Sequence, residues 1–433
     1  MRYRNIDPQL FITNRKKLIS YLRPNSLVVL QANDSMPKNT DATMPFVQHS
    51  DLFYLSGIDQ EETILLLYPD AIKSEWKEIL FIKETNEMVE IWEGKKYTKE
   101  AARDRSGIET IHWISAFEPL LHTLMGLAEQ LYLSSNEHPR ANCPVESRNS
   151  RFIRWVKEHY PLHRYERIAP IMQKLRSIKE PIELSLLQEA CRITEAGFRS
   201  VLSIIQPGLM EYEAEALLAY EFIRRGSRGF AFEPIIASGA NSCILHYHQN
   251  NQPCPAEGLL LLDIGAEYAN YSADVTRVVP ITGVFTARQR QVYASVLHIL
   301  KTAQALITAG LSFLDYHKEI IAWVEHELLA LRLIDRTDLK TQTQTAPAYK
   351  KYFMHGISHH LGLSTHDVGD THGIMQANMV LTVEPGIYIP KEGIGIRLED
   401  DIVVCHNGIR NLTEDIPIEV EEIETLMRQG KQL

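Results

Sequence analysis

The chain has 433 residues, 45% hydrophobic and 23% charged, the make-up of a folded protein with room for two or three domains. Its formal net charge of −10 argues against nucleic acid or an anionic membrane as the main partner, since both demand a basic surface. No apolar run reaches the roughly 18–20 residues that span a bilayer, and MRYRNIDPQLFITNRKK at the start lacks the apolar core of a secretion signal. Cys143, Cys191, Cys243, Cys254 and Cys405 are odd in number and free of CxxC spacing. They suit a reducing compartment, so the expected location is the cytoplasm, with no disulfide framework or zinc knuckle.

From residue 1 to 165, short apolar strands alternate with amphipathic helical pieces. The strands SLVVLQA (26–32), TILLLYP (63–69) and EILFIK (78–83) mark an α/β domain. The expected boundary is HYPLHRYERIAP (159–170), with a second domain over 171–433. There, helices are expected at 182–205 and 211–225, broken by Pro207 and Gly208. Strand-like FEPIIASG, GLLLLDIGAEY and SADVTRVVP follow. Thr286 then caps a helix running to Gly310, and a second helix spans about 312–334. After a polar interval (335–350), VLTVEPGIYI and GIGIRLEDDIVV read as strands again. A helix pair followed by strands, twice over, is an α+β arrangement of two related halves, although no residue-level repeat accompanies it.

The stretch HGISHHLGLSTHDVG (355–369) places His355, His359, His360 and His366 within twelve positions. Packing explains this poorly, because a buried imidazole without a partner loses hydration and gains little. Metal ligation and proton transfer explain it better, as both need a group that changes charge near neutral pH. Acids occur at compatible places. Asp263 and Asp274 each interrupt an apolar strand, and a turn through Glu267–Asn270 sets them directly opposite, Cβ atoms about 5 Å apart. Two like charges so close repel, and a cation between them reverses the sign. A turn aspartate and a strand-edge aspartate are the simpler alternative. Glu384 ends the strand-like MVLTVE before Pro385 and Gly386. In IGIRLEDDIVV, alternation puts Arg397, Glu399 and Asp401 on the face opposite Ile396, Leu398 and Ile402. Taken singly, a solvated Glu or a surface Arg397–Glu399 pair accounts for that face equally well.

Taken together and in order, Asp263, Asp274, His359, Glu384 and Glu399 resemble the five metal ligands of the pita-bread metallopeptidases. That family includes methionine aminopeptidase, Xaa-Pro aminopeptidase and prolidase. Its hallmark is two aspartates eleven apart, then HGxxH, then a Glu in VEPG, then a Glu on the last strand. SDLFYLSGI (50–58), EIWEGKKY (90–97) and the tail NLTEDIPIEVEEIETLM resemble the branch with an N-terminal creatinase-like domain, the bacterial Xaa-Pro aminopeptidases among them. The resemblance covers nearly the whole chain. It implies a creatinase-like α/β domain over 1–165 and a catalytic α+β pita-bread domain over 171–433. Creatinase itself lacks the metal ligands, so the intact set argues against that activity.

The resemblance further implies two divalent ions about 3.5–4 Å apart, bridged by Asp274 and Glu399. Asp263 completes the protein ligands of one ion, and His359 with Glu384 those of the other. A water shared between them becomes the nucleophile that attacks the scissile carbonyl. His246 and His366 contact substrate and polarise that carbonyl, Glu384 exchanges protons, and His355 and Arg397 relay or orient. The carboxylate-rich set favours manganese over zinc, with cobalt able to substitute. The implied substrates are peptides with proline at position 2. Trp92 matches a tryptophan that some relatives place over a neighbouring subunit's active site, and a homo-oligomer (dimer or tetramer) is implied. His248 and His360 match no functional position and read as bystanders. Two alternatives stand beside the aminopeptidase: a prolidase limited to Xaa-Pro dipeptides, and a non-catalytic pita-bread binding module.

Overall fold

The structure is a computed structural model and describes residues 2–141 and 143–430. It divides into two compact units: Asn5–Arg176, and the few residues before it together with everything from Ser177 onward. Among the described residues, no helix is long and apolar enough to cross a membrane.

The first unit is built on one mixed sheet of β1 (Ser26–Gln31), β2 (Ile64–Leu67), β3 (Glu78–Ile82), β4 (Thr110–Trp113), β5 (Gln130–Leu133) and β6 (Arg164–Arg167), in the order β4-β3-β2-β1-β5-β6. β1, β2 and β5 are buried along their whole length, which is why they read as continuous apolar runs rather than alternating ones. Leu27, Val29, Leu66, Phe81, Leu121, Leu131 and Phe152 form the heart of one of its cores. The expected boundary stretch carries regular structure. HYPLHRYERIAP contains β6, which pairs in parallel with β5, and the Tyr165 hydroxyl donates to the carbonyls of Val156 and Tyr160. The unit ends at Arg176. Charge and proline in this stretch protect a sheet edge rather than mark a linker.

The second unit opens with helices Pro181–Leu202 and Glu211–Arg224. A capping box closes the first, with Glu180 and Glu183 each bonding the other's end. Strands β7 (Ile235–Ser238), β8 (Leu259–Ile264) and β11 (Val275–Pro280) form a sheet, and the short β9 (Glu267–Tyr268) and β10 (Tyr271–Ser272) form the hairpin tip between β8 and β11. Helices Ala287–Leu306 and Phe313–Ala330 follow, and Thr286 caps the first through the Gln289 N–H as expected. The polar interval holds a further helix, Arg336–Thr341, capped by Asp335. β12 (Val380–Val383), β15 (Asp400–Val404) and β16 (Ile409–Asn411) make a second sheet, and β13 (Gly386–Ile389) pairs with β14 (Ile394–Arg397).

The hairpin register differs from the expected one. The turn residues are Ala269 and Asn270, both left-handed (φ 54° and 68°), a tight two-residue turn between Tyr268 and Tyr271. Asp263 therefore opposes Thr276 and not Asp274. Asp274 falls one step beyond the Ile264–Val275 pair, opposite Gly265, and so lies diagonal to Asp263 on the same face. A side chain at Gly265 would collide with the Ala273 carbonyl, so only glycine allows the two strands to close at this point.

Arg277, buried on β11, ties this hairpin to the second sheet. Its guanidinium donates to the carbonyls of Glu399 (2.6 Å), Pro417 (3.0 Å) and Thr276 (3.1 Å), and to Asp400 Oδ1 (2.6 Å). Burial pushes the Asp400 carboxyl up, but Arg277 and hydrogen bonds from Gln304 and Thr413 outweigh it and hold it below its ordinary value. Arg277→Met keeps the bulk but strands Asp400 as a buried, uncompensated charge, and should destabilise the protein by about 3–5 kcal/mol in denaturant unfolding. A loss under about 1 kcal/mol, the range of a surface pair, would show that the tie does not hold the sheets.

Candidate metal centre

The five predicted ligands come from four places that the second unit brings together. Asp263 lies near the end of β8, and Asp274 immediately precedes β11. His359 runs alongside β12: its N–H donates to Thr382 Oγ1 (3.1 Å), and the Thr382 N–H donates to its carbonyl (3.0 Å). Glu384, just past β12, is fixed by its N–H on the Ile357 carbonyl (2.8 Å). Glu399 lies between β14 and β15, its N–H on the Thr276 carbonyl (3.1 Å). The chain passes from one sheet to another at Leu398–Glu399, yet Arg397, Glu399 and Asp401 still contact the same Asp263–Thr276 stretch, as alternation expects.

Asp274, His359 and Glu399 each offer a ligand atom, and all three atoms lie within 4.8 Å of one another. His359 Nε2 is 3.4 Å from Asp274 Oδ2 and 3.7 Å from Glu384 Oε1. His359 Nδ1 faces the His360 carbonyl at 2.9 Å, which fixes it as the protonated nitrogen and leaves the Nε2 lone pair directed at the carboxylates. Asp263 meets Arg397 Nη2 through Oδ2 at 2.5 Å, while its buried Oδ1 finds no hydrogen-bond partner among the described residues.

Asp274 and Glu399 are held well above the ordinary carboxylate range. Burial is the largest cause for both, followed by Asp263 for Asp274 and by Asp274 for Glu399, with Glu384 adding to each and Arg397 opposing. Four carboxylates face one guanidinium, so the site is short of positive charge. Hard oxygens, one imidazole lone pair and an orphaned buried oxygen are the donor set of a divalent cation, and these residues fit one.

A hydrogen-bonded chain backs the carboxylates. Arg397 donates through Nε to Thr276 Oγ1 (2.9 Å) and through Nη1 to the Tyr388 hydroxyl (2.9 Å). Thr276 Oγ1 in turn donates to Glu399 Oε2 (2.7 Å). Because Arg397 donates to the Tyr388 oxygen, the Tyr388 O–H is free to point at His355 Nε2 (2.8 Å). His355 Nδ1 then donates to the Gly356 carbonyl (2.8 Å) and lies 3.6 Å from Glu384 Oε2. Burial, then Arg397, push the His355 imidazolium down to about 3, so this ring is neutral. Behind Asp274, its N–H donates to the buried Asp401 Oδ2 at 2.9 Å. Tyr388, Thr276 and Asp401 were not singled out from the sequence as site residues. Thr276 shares the Asp274 face by simple alternation, which was a readable signal; Tyr388 sits in an apolar strand and gave none.

Of the remaining predicted residues, His366 packs edge-on against His359, ring centroids 4.5 Å apart. His246 is exposed and close enough to His355 to depress its protonation. His360 is buried against Phe313, and Gly369 is so close to its ring that no side chain fits there. His248 lies 4.0 Å from Glu233 on the surface. Trp92 belongs to the Asn5–Arg176 unit, on helix Glu87–Glu93, and is 80% exposed.

The profile of metallopeptidase family M24 matches residues 185–406, and that of the aminopeptidase P N-terminal domain matches residues 11–132. Xaa-Pro aminopeptidase of Escherichia coli (strain K12) is 33% identical over 98% of this chain and 98% of its own. The structure of E. coli aminopeptidase P with the inhibitor Pro-Leu superposes with a TM-score of 0.87 at 31% identity, covering 99% of this chain and all of that one. Aminopeptidase PepP of Pseudomonas aeruginosa superposes with a TM-score of 0.90 at 29% identity, with the same coverage.

Raised carboxyls bind protons more tightly in the folded chain, so their contribution to stability is complete at acid pH and lost as pH rises through the folded values. With a chelator present, the Asp274 and Glu399 contribution should start to fall above 3.8 and 4.5, the ordinary values of these groups. Thermal unfolding across pH should show Asp274→Asn flattening that fall, and saturating Mn2+ abolishing it. Identical pH slopes for wild type and Asp274→Asn under chelation would contradict the crowding described here.

Proposed function

The chain belongs to the aminopeptidase P branch of metallopeptidase family M24, and from that premise we propose that it is a two-metal Xaa-Pro aminopeptidase. It releases the first residue of peptides whose second residue is proline. The observation that carries this reading is the convergence of Asp274, His359 and Glu399 on one point, with Asp263 and Glu384 adjoining it. Those five residues would hold the ions, and their oxygen-rich donors favour manganese. Bound there, the ions supply Lewis acidity and a water acidic enough to act as nucleophile near neutral pH.

The chain's own groups do the rest. Arg397 orients Asp263 and, through Tyr388, keeps His355 in one tautomer. Glu384, 3.6 Å from His355 Nδ1, is placed to take a proton and pass it on. His366 and His246 direct N–H groups at the scissile carbonyl and at the oxyanion that develops from it. A proline amide has no N–H and a fixed φ, so the site must hold the ring without that donor. The Pro-Leu inhibitor of the E. coli enzyme continues past proline, which supports an aminopeptidase over a dipeptide-only prolidase. We further read the protein as cytoplasmic and homo-oligomeric, a dimer or tetramer. The exposure of Met88, Ile91 and Trp92 on one short helix supports an interface there.

Two measurements test the reading. kcat/KM should be higher for Ala-Pro-Ala than for Ala-Pro, with only the first alanine released and acetyl-Ala-Pro-Ala left intact. Cleavage confined to Ala-Pro would make the protein a prolidase, and inertness toward both free-amine peptides with metal bound would leave the binding module. His366→Ala should keep its metal and lose about 10²–10³-fold in kcat, the scale of one oxyanion donor. Loss of metal from that variant would instead make His366 a ligand.

A further inference from the structure

Glu211 is fully buried at the first position of helix Glu211–Arg224, and the chemistry proposed above does not use it. A carboxylate taken out of water needs compensating donors. Oε1 accepts from the Ser238 N–H (2.8 Å), the Ser238 hydroxyl (2.7 Å) and Asn241 Nδ2 (3.4 Å). Oε2 accepts from the Tyr247 hydroxyl (2.7 Å) and the Gln252 N–H (2.9 Å). All five donors come from residues 238–252, on both sides of His246. Apart from the single turn Gly239–Cys243, the segment after Ser238 has no helix or strand of its own to set its path. The carboxylate, favoured by the helix N-terminus, takes over that task.

The neighbouring ties hold other points of the segment. Ser242 Oγ accepts the Gly395 N–H (2.9 Å), and Asn250 bonds the Ile236 N–H and the Pro234 carbonyl (both 3.0 Å). His246 lies between them, exposed, and the residue next to it is the buried Tyr247. Burial and Glu211 push the Tyr247 phenol up to about 12, so its O–H remains to donate.

We propose that Glu211 is a positioning residue, which through Tyr247 fixes the segment carrying His246 and thereby the approach of that imidazole to the scissile carbonyl. This rests on His246 contacting substrate, as proposed above. The test combines Tyr247→Phe, Glu211→Gln and His246→Ala, with kinetics on Ala-Pro-Ala and amide hydrogen exchange on the metal-loaded protein. Tyr247→Phe should lower kcat about 10-fold, the loss of one charge-assisted hydrogen bond, and move KM less than about 2-fold. Placed on His246→Ala, the same change should cost less than about 2-fold, because the group it positions is gone. Exchange should quicken over 239–252 in both Tyr247→Phe and Glu211→Gln, and stay unchanged in helix Pro181–Leu202. Equal losses with and without His246, or unchanged exchange in the segment, would overturn the proposal. A His246→Ala protein as active as wild type would overturn the role of His246 itself, leaving the exchange result to decide whether Glu211 holds the segment. If Glu211→Gln fails to fold, Tyr247→Phe carries both measurements.

Discussion

Four buried or partly buried carboxylates gathered around one imidazole lone pair set the terms for the second unit. Each charge removed from water costs several kcal/mol, and like charges a few ångströms apart add to that cost. Burial and mutual repulsion show in the raised carboxyls of Asp274 and Glu399, and Arg397 offsets only part of both. An arrangement this unfavourable persists only if surrounding structure imposes it. The ties behind the pocket are correspondingly strong: Arg277 bound to Asp400 and to four backbone carbonyls nearby, and the Asp274 N–H held by Asp401.

The same constraint couples folding to cation binding. A cation that binds the folded chain and not the unfolded one relieves the repulsion and adds its binding energy to stability. In the metal-free chain these crowded carboxylates are a source of repulsion that the surrounding contacts must offset, a trade common at functional sites.

Both halves of the second unit contribute to one pocket, and neither could assemble it alone. The β8–β11 hairpin supplies the aspartates, and the segments around β12, β14 and β15 supply His359, Glu384 and Glu399. Backbone N–H groups make their interlock: the Glu399 N–H donates to the Thr276 carbonyl and the Asp274 N–H to the Asp401 carboxylate. Peripheral histidines are held differently. His355 is locked from behind by Tyr388, whereas His246 stands on a segment without regular structure whose path is set by a buried carboxylate.

The sequence by itself determined the order of elements and the identity of the acidic and imidazole groups, because both are written in local signals. Period-3.6 and period-2 patterns, the Thr286 cap and the Pro207–Gly208 break depend on neighbours a few residues away. Charge and imidazole inside apolar or glycine-broken stretches drew attention to Asp263, Asp274, His359, Glu384 and Glu399. Each alone was ambiguous, and only their order and motif context, by resemblance to the metallopeptidase family, joined them into one set. Register was not legible: a two-residue turn at Ala269 and Asn270 shifts the pairing from that of a four-residue one, and composition alone does not choose. The stretch 159–170 carries the edge strand β6, and proline and charge mark sheet edges as readily as linkers. Tyr388, Arg277 and Glu211 escaped notice for a common reason. Apart from the Thr276 carbonyl beside Arg277, their partners lie from 9 to 140 residues away along the chain, so only tertiary structure decides whether such a group is buried, what compensates it and what it holds.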